Sequence, residues 1–281
     1  MSDPLDYVHA TLQALHDSGA KLSAPRETVA RLRQLPKPAE PKRIERTIAP
    51  RVEAPAPSIP SAPSVPFTPL APTTGTKAAR LDAMRGPVLA CTKCPHLVAS
   101  RTQVVFGVGT PEAELMFVGE APGEDEDVQG EPFVGRAGEL LTKIIKAMGF
   151  ERIDVFIANI LKCRPDMPPG VPGNRKPRAD EMQTCLPYLR EQIDIIQPRA
   201  LVALGATALE GLTGQQIPVG RVRGSWLEFG GIPLMVTYHP AYLLRNQAIS
   251  EKRKVWEDML LVLEKLGHPI SEKQRGFFQR A

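Results

Sequence analysis

The chain is poor in aromatic residues, 5% of 281, and it has only four cysteines. It contains no run of about 18 apolar residues, which excludes a membrane-spanning helix. Its opening residues carry Asp3 and Asp6 and lack the apolar core of a secretory signal. A cytoplasmic location is therefore expected, and there structural disulfides are rare. A strong overall charge is missing too. The formal net charge is +4, and the segment 36–80 carries all of it, with seven basic residues (Lys37, Lys42, Arg43, Arg46, Arg51, Lys77 and Arg80) against Glu40, Glu45 and Glu53. The remainder is close to neutral, so global charge gives no argument for nucleic-acid binding by the folded part.

Proline, by contrast, is abundant and unevenly placed. Eleven prolines fall between Pro36 and Pro72, with alanine and serine among them. Such a stretch cannot form a helix or a sheet centre, so residues 36–80 read as a disordered, extended linker. Before it, Leu5, Val8, Leu12 and Leu15 share one helical face, and Val29, Leu32 and Leu35 another. Residues 1–35 thus read as a short helical hairpin. It is too small to be stable alone, and a protein partner could dock on it.

Residues 81–281 read as the catalytic domain. Apolar strands at Leu115–Gly119, Val155–Leu161, Ala200–Leu204 and Leu234–Tyr238 alternate with helical patterns at Ala137–Met148, Asp180–Ile196, Thr207–Leu212 and Glu251–Leu266. That alternation predicts a three-layer α/β/α fold around a mostly parallel sheet of four strands. Between the first strand and its helix lies GEAPGEDEDVQGEPFVGRAGELL, Gly119 to Leu141, with a phenylalanine read as exposed and a cluster of carboxylates. Ligands of open α/β sheets bind where strands end and helices begin. This loop is no phosphate cradle, because Glu120, Glu124, Asp125, Glu126 and Asp127 would repel an anion.

Cys91 and Cys94 form a CxxC pair, while Cys163 and Cys185 stand apart. Four thiolates suit zinc or a [4Fe–4S] cluster equally well by chemistry.

The Gly119–Leu141 segment resembles the first active-site motif of the family 4 uracil-DNA glycosylases. His239-Pro240-Ala241-Tyr242-Leu243-Leu244-Arg245-Asn246 resembles their second motif, and Ala158-Asn159-Ile160-Leu161-Lys162-Cys163-Arg164-Pro165 a third. The resemblance covers roughly Leu81 to Leu266. It implies a monofunctional glycosylase of base excision repair, acting in the nucleoid, that hydrolyses the N-glycosidic bond of deoxyuridine in single- or double-stranded DNA. It also implies a [4Fe–4S] cluster on Cys91, Cys94, Cys163 and Cys185. The chain departs from the family in a longer gap between Cys163 and Cys185, filled by Asp166 to Pro172. A monomer is expected.

A glycosylase must flip the nucleotide out and read its Watson–Crick edge. Residues Gly119, Ala121, Phe133 and Asn159 are then expected around the base. Phe133 would stack on it, and Asn159 can both accept from N3–H and donate to O4. His239 would donate to O2 as charge gathers there. Glu120, first, and Glu126, second, are the candidates for water or sugar-cation stabilisation. Ala121 and Gly123 stand where family 1 enzymes carry a water-activating aspartate and a thymine-blocking tyrosine, a departure that family 4 shares. Leu243 and Leu244 are expected to wedge into DNA, with Arg245 on a flanking phosphate; the alternative is the first turn of a helix whose leucines point into the core. Lys162, Arg164, Arg175, Lys176, Arg178, Arg221 and Arg223 fall in stretches that could line a phosphate track. A non-catalytic cluster-bearing DNA-binding or scaffold protein on the same fold is the alternative, separated from the first reading by an excision assay.

Overall fold

The structure, a computed structural model, describes residues 68–168, 170–171 and 173–279. The expected hairpin at 1–35 and most of the linker lie outside the described residues. Where the linker reading overlaps them, it ends too late. Backbone N–H groups of Leu70 and Ala71 donate to Glu191 Oε1 at 2.7 and 2.6 Å. Helix α1, Lys77–Leu89, follows, with the Thr76 hydroxyl capping Ala79 N–H. Its buried face of Leu81, Met84 and Val88 is spaced i, i+3, i+7, a helical signal that the neighbouring prolines outweighed in the composition.

Among the described residues the sheet has six strands rather than the expected four. They are β1 (Val108–Gly109), β2 (Leu115–Gly119), β3 (Phe156–Asn159), β4 (Ala200–Leu204), β5 (Trp226–Phe229) and β6 (Ile232–Thr237). Their order is β1-β3-β2-β4-β6-β5. The inner four are mutually parallel, and an antiparallel strand closes each edge. The added strands escaped the sequence reading for physical reasons. Strand β1 is two residues long, too short for any period, and β5 has a weak pattern and joins β6 through Gly230-Gly231, both at positive φ.

Strand β2 is buried at every position, as a parallel strand between helix layers must be. Its side chains alternate between two apolar clusters. Met116 and Val118 face α1, α5 (Ala179–Ile196) and α6 (Ala206–Thr213). Leu115 and Phe117 face α4 (Arg136–Met148) and α9 (Ile249–Leu266). Three layers result, and the carboxyl ends of the parallel strands share one edge. Short helices α2 (Pro95–Ser100), α3 (Glu124–Gln129), α7 (Val219–Val222), α8 (Pro240–Arg245) and α10 (Glu272–Gly276) complete the described chain.

Candidate active site and thiol cluster

Sheet register brings two of the motifs together. Gly119 ends β2 and Asn159 ends β3, and the two are direct partners across the strands. A Cβ on Gly119 would lie 2.3 Å from Asn159 Oδ1 and 2.5 Å from Phe133 Cζ. Only glycine permits that approach, so the Asn159 amide and the Phe133 ring converge directly on the Gly119 backbone. Asn159 is buried, and its Oδ1 has no hydrogen-bond partner. A buried orphan acceptor is costly unless a ligand meets it.

Phe133 is buried, not exposed, and adopts a left-handed φ of 56°. This conformation is uncommon for a bulky residue, and the surrounding loop holds it. A Cβ at Gly138 would fall 1.8 Å from the Phe133 carbonyl oxygen, so the helix start presses directly on the loop. Arg152 donates to the preceding Pro132 carbonyl.

Glu126 is committed to the same loop. Its Oε1 accepts from Val134 and Gly135 N–H at 2.9 and 3.0 Å, and its Oε2 accepts from Gly123 N–H at 3.0 Å. Three backbone bonds leave it as a brace, which removes the reason to make it the second acid–base candidate. Glu120 differs. It is half-buried, and burial raises its carboxyl above the usual range, opposed by a hydrogen bond from Thr207. Thr207 sits in the first turn of α6, just after β4; the sequence reads it only as a helix start, because no motif marks that strand end. Ala121 is half-buried beside the core.

His239 caps α8, with Ala241 N–H donating to its Nδ1 at 3.1 Å. That bond assigns the proton of the neutral ring to Nε2. Burial, and then the charge of Arg245, lower its pKa to about 4, so the ring is neutral near pH 7. The His239 and Phe133 rings lie with centroids 5.6 Å apart. Behind them, Thr237 Oγ1 donates to buried Asp258 at 2.6 Å, and Arg223 bonds the same carboxyl.

The expected DNA-facing residues divide. Leu243 is buried on the inner side of α8, where the helix turns it toward the core, so it is no wedge. Leu244 is half-exposed and Arg245 exposed. Much of the expected phosphate track is spent internally. Lys162 is buried on Gln192, Arg164 reaches Glu124, Arg175 joins Asp166 and Glu181, Lys176 joins Glu210, and Arg178 joins Asp180 and Glu181. The Asp166, Glu181 and His96 side chains that gather there surround Arg175.

The four cysteines converge from α2's approach, the end of β3 and α5. Cys163 and Cys185 are buried, and Cys91 and Cys94 are half-buried. Burial pushes the Cys185 thiol up to about 12, with Lys162 opposing and Cys163 and Cys91 adding. Arg101 donates to Cys163 Sγ at 3.0 Å, Lys162 N–H to Cys185 Sγ at 3.3 Å and Tyr188 OH to Cys91 Sγ at 3.3 Å.

The profile of the uracil DNA glycosylase superfamily matches residues 106–260. The chain is 44% identical to a type-4 uracil-DNA glycosylase of Thermotoga maritima over 187 residues, 66% of this chain and 93% of that protein. It is 39% identical to one of Archaeoglobus fulgidus over 206 residues, 70% of this chain and 97% of the other. A type-5 uracil-DNA glycosylase of Pyrobaculum aerophilum is 30% identical over 192 residues, covering 56% and 80%. With the strand-end pocket and these matches together, the chain belongs to the uracil DNA glycosylase superfamily and, within it, to the type-4 uracil-DNA glycosylases.

Proposed function

We propose that this chain excises uracil from DNA, hydrolysing the bond between C1′ and N1 to leave an abasic site and free uracil. The observation that carries the reading is the unpartnered Asn159 Oδ1, buried beside Phe133 over the bare Gly119 backbone. Uracil is shaped for that set. Its N3–H meets Oδ1, its O4 meets the Asn159 amide N–H, and its face meets the Phe133 ring.

In the reaction, the C1′–N1 pair leaves with the base, and negative charge spreads over N1 and O2. Nε2–H of neutral His239 donates to O2, in a site dry enough for a preorganised donor to count for several kcal/mol. Water then bonds to C1′. Glu120 is the group to take the water's proton; one proton then passes to N1 of the departing base, so that water's OH ends on C1′, its H on uracil, and Glu120 is ionised again. Removal of the flipped base from single strands avoids unstacking, so both single- and double-stranded DNA are substrates.

The thiol set supports a [4Fe–4S] cluster on Cys91, Cys94, Cys163 and Cys185. N–H and O–H donors already point at three of the sulfurs, the kind of bonds that thiolate-held clusters receive, and the match to the type-4 enzymes favours iron–sulfur over zinc. Such a cluster would supply cross-linking of the segment before the sheet, β3 and α5, and no chemistry to the base.

The test is release of uracil from single- and double-stranded oligonucleotides by the wild type, Asn159→Ala and Glu120→Gln. Wild-type release, lost in Asn159→Ala while DNA affinity persists, supports the assignment. Glu120→Gln should be slow at every pH, whereas wild-type rates fall on the acid side as Glu120 becomes protonated. Full single-turnover activity in Asn159→Ala would show that the pocket is misplaced.

A further inference from the structure

Between the thiols and the base pocket runs a short segment, Arg101-Thr102-Gln103, that is bonded at both ends. At one end the Arg101 fork is divided. One nitrogen donates to Cys163 Sγ at 3.0 Å, and the other donates to the Cys91 carbonyl at 2.6 Å. One guanidinium thus joins the CxxC segment to the cysteine that follows β3. At the other end Asp127, on α3 inside the pocket loop, is 2% exposed. Its Oδ2 accepts from Thr102 N–H at 2.8 Å, and Oδ1 accepts a longer bond, 3.5 Å, from Gln103 N–H. Gln103 Nε2 also donates to Val128 O at 2.7 Å. A buried carboxylate is costly unless such bonds satisfy it, and these go to one strip of backbone. The residue just before it in the same helix is Glu126, whose carboxylate holds Gly123, Val134 and Gly135. Val134 and Gly135 directly follow Phe133.

We propose that Arg101 and Asp127 are positioning residues forming a strap that transmits the order of the cysteine site to the loop carrying Phe133. The inference rests on the cluster reading for one of its two measurements only. Physical coupling between two sites is reciprocal. A change at either end of a strap is therefore felt at the other, whereas two independent local contacts would each move their own end.

The experiment uses the iron-loaded full chain as wild type, Arg101→Gln, Arg101→Lys and Asp127→Asn. Two quantities are read: amide hydrogen exchange at Val134 and Gly135, and the reduction potential of the cluster. Arg101→Gln should speed exchange at Val134 and Gly135 about tenfold, with Met116 to Val118 in β2 unchanged, on the usual scale of a lost charged hydrogen bond. Asp127→Asn should shift the reduced-to-oxidised ratio at fixed potential by about tenfold, about 59 mV for a one-electron couple. If Arg101→Gln moves only the potential and Asp127→Asn only the exchange, the strap is refuted. Should Arg101→Gln fail to load iron, Arg101→Lys keeps the charge but not the fork, and it must still loosen Val134 and Gly135. If the wild type carries no iron, the cluster reading fails by itself. Exchange in the Arg101 variants then decides the strap, and unchanged protection at Val134 and Gly135 overturns it.

Discussion

Phe133 and His239 lie ring against ring, with centroids 5.6 Å apart and planes inclined by 31°. One ring comes from the loop after β2, the other from the loop after β6, and β4 separates those strands in the sheet. Their meeting closes the pocket across the sheet edge and shelters the His239 ring. Burial then holds that ring neutral, with Nε2 as the donor.

The first prediction follows from that neutrality. His239 has a folded-state pKa of about 4, below the ordinary histidine value. The unfolded chain therefore binds more protons between about pH 6.5 and 4, so stability is full above that window and is lost as pH falls through it. Thermal melts from pH 7 to 4.5 should show a smaller decline in His239→Gln than in the wild type. Its uracil release should fall by about 10²–10³ at pH 7.

A second prediction concerns the pocket floor. Gly119→Ala places a methyl group 2.3 Å from Asn159 Oδ1 and 2.5 Å from the Phe133 ring. Gly119 has no positive φ, so the backbone itself tolerates alanine. The variant should fold and bind DNA but lose excision, with the loss seen as slow single-turnover release. Wild-type rates in Gly119→Ala would mean the base sits elsewhere.

The parallel sheet and the strand-end site were legible because buried parallel strands read as continuous apolar runs, and because Gly119, Asn159 and His239 each follow such a run. What escaped depends on contacts distant in the chain. Nothing local to Glu126 tells that its oxygens accept from Val134 and Gly135, and nothing near Arg175 announces Glu181. For Leu243 the structure takes the alternative, a helix turn opened by Pro240 that carries it into the core, while Leu244 stays half-exposed; the sequence alone does not say which leucine faces inward. The Gly230-Gly231 pair between Phe229 and Ile232 was likewise a hairpin signal that the reading passed over.

The third prediction tests the thiols. Protein purified without oxygen should contain iron and sulfide and absorb broadly in the visible. Cys185→Ala should lose that absorbance together with thermal stability, since it releases α5 from the end of β3. One zinc and no iron per chain would overturn the cluster. Loss of iron with unchanged melting would overturn its structural role.

The last prediction separates two adjacent leucines. Leu243 is 4% exposed and packs inward from α8, whereas Leu244 is half-exposed beside exposed Arg245. Leu243→Ala empties a packed site and should cost about 2–5 kcal/mol of stability. Its excision should fall alike on single and double strands, in step with the folded fraction. Leu244→Ala removes little packing, so its melting temperature should stay near that of the wild type. A side chain at this place, next to a cation that can meet a phosphate, can fill the gap left by a flipped base only where a stack exists. Leu244→Ala should therefore slow excision from duplex DNA much more than from single strands. Equal slowing on both substrates would remove Leu244 from base flipping and leave the duplex to be opened by other residues.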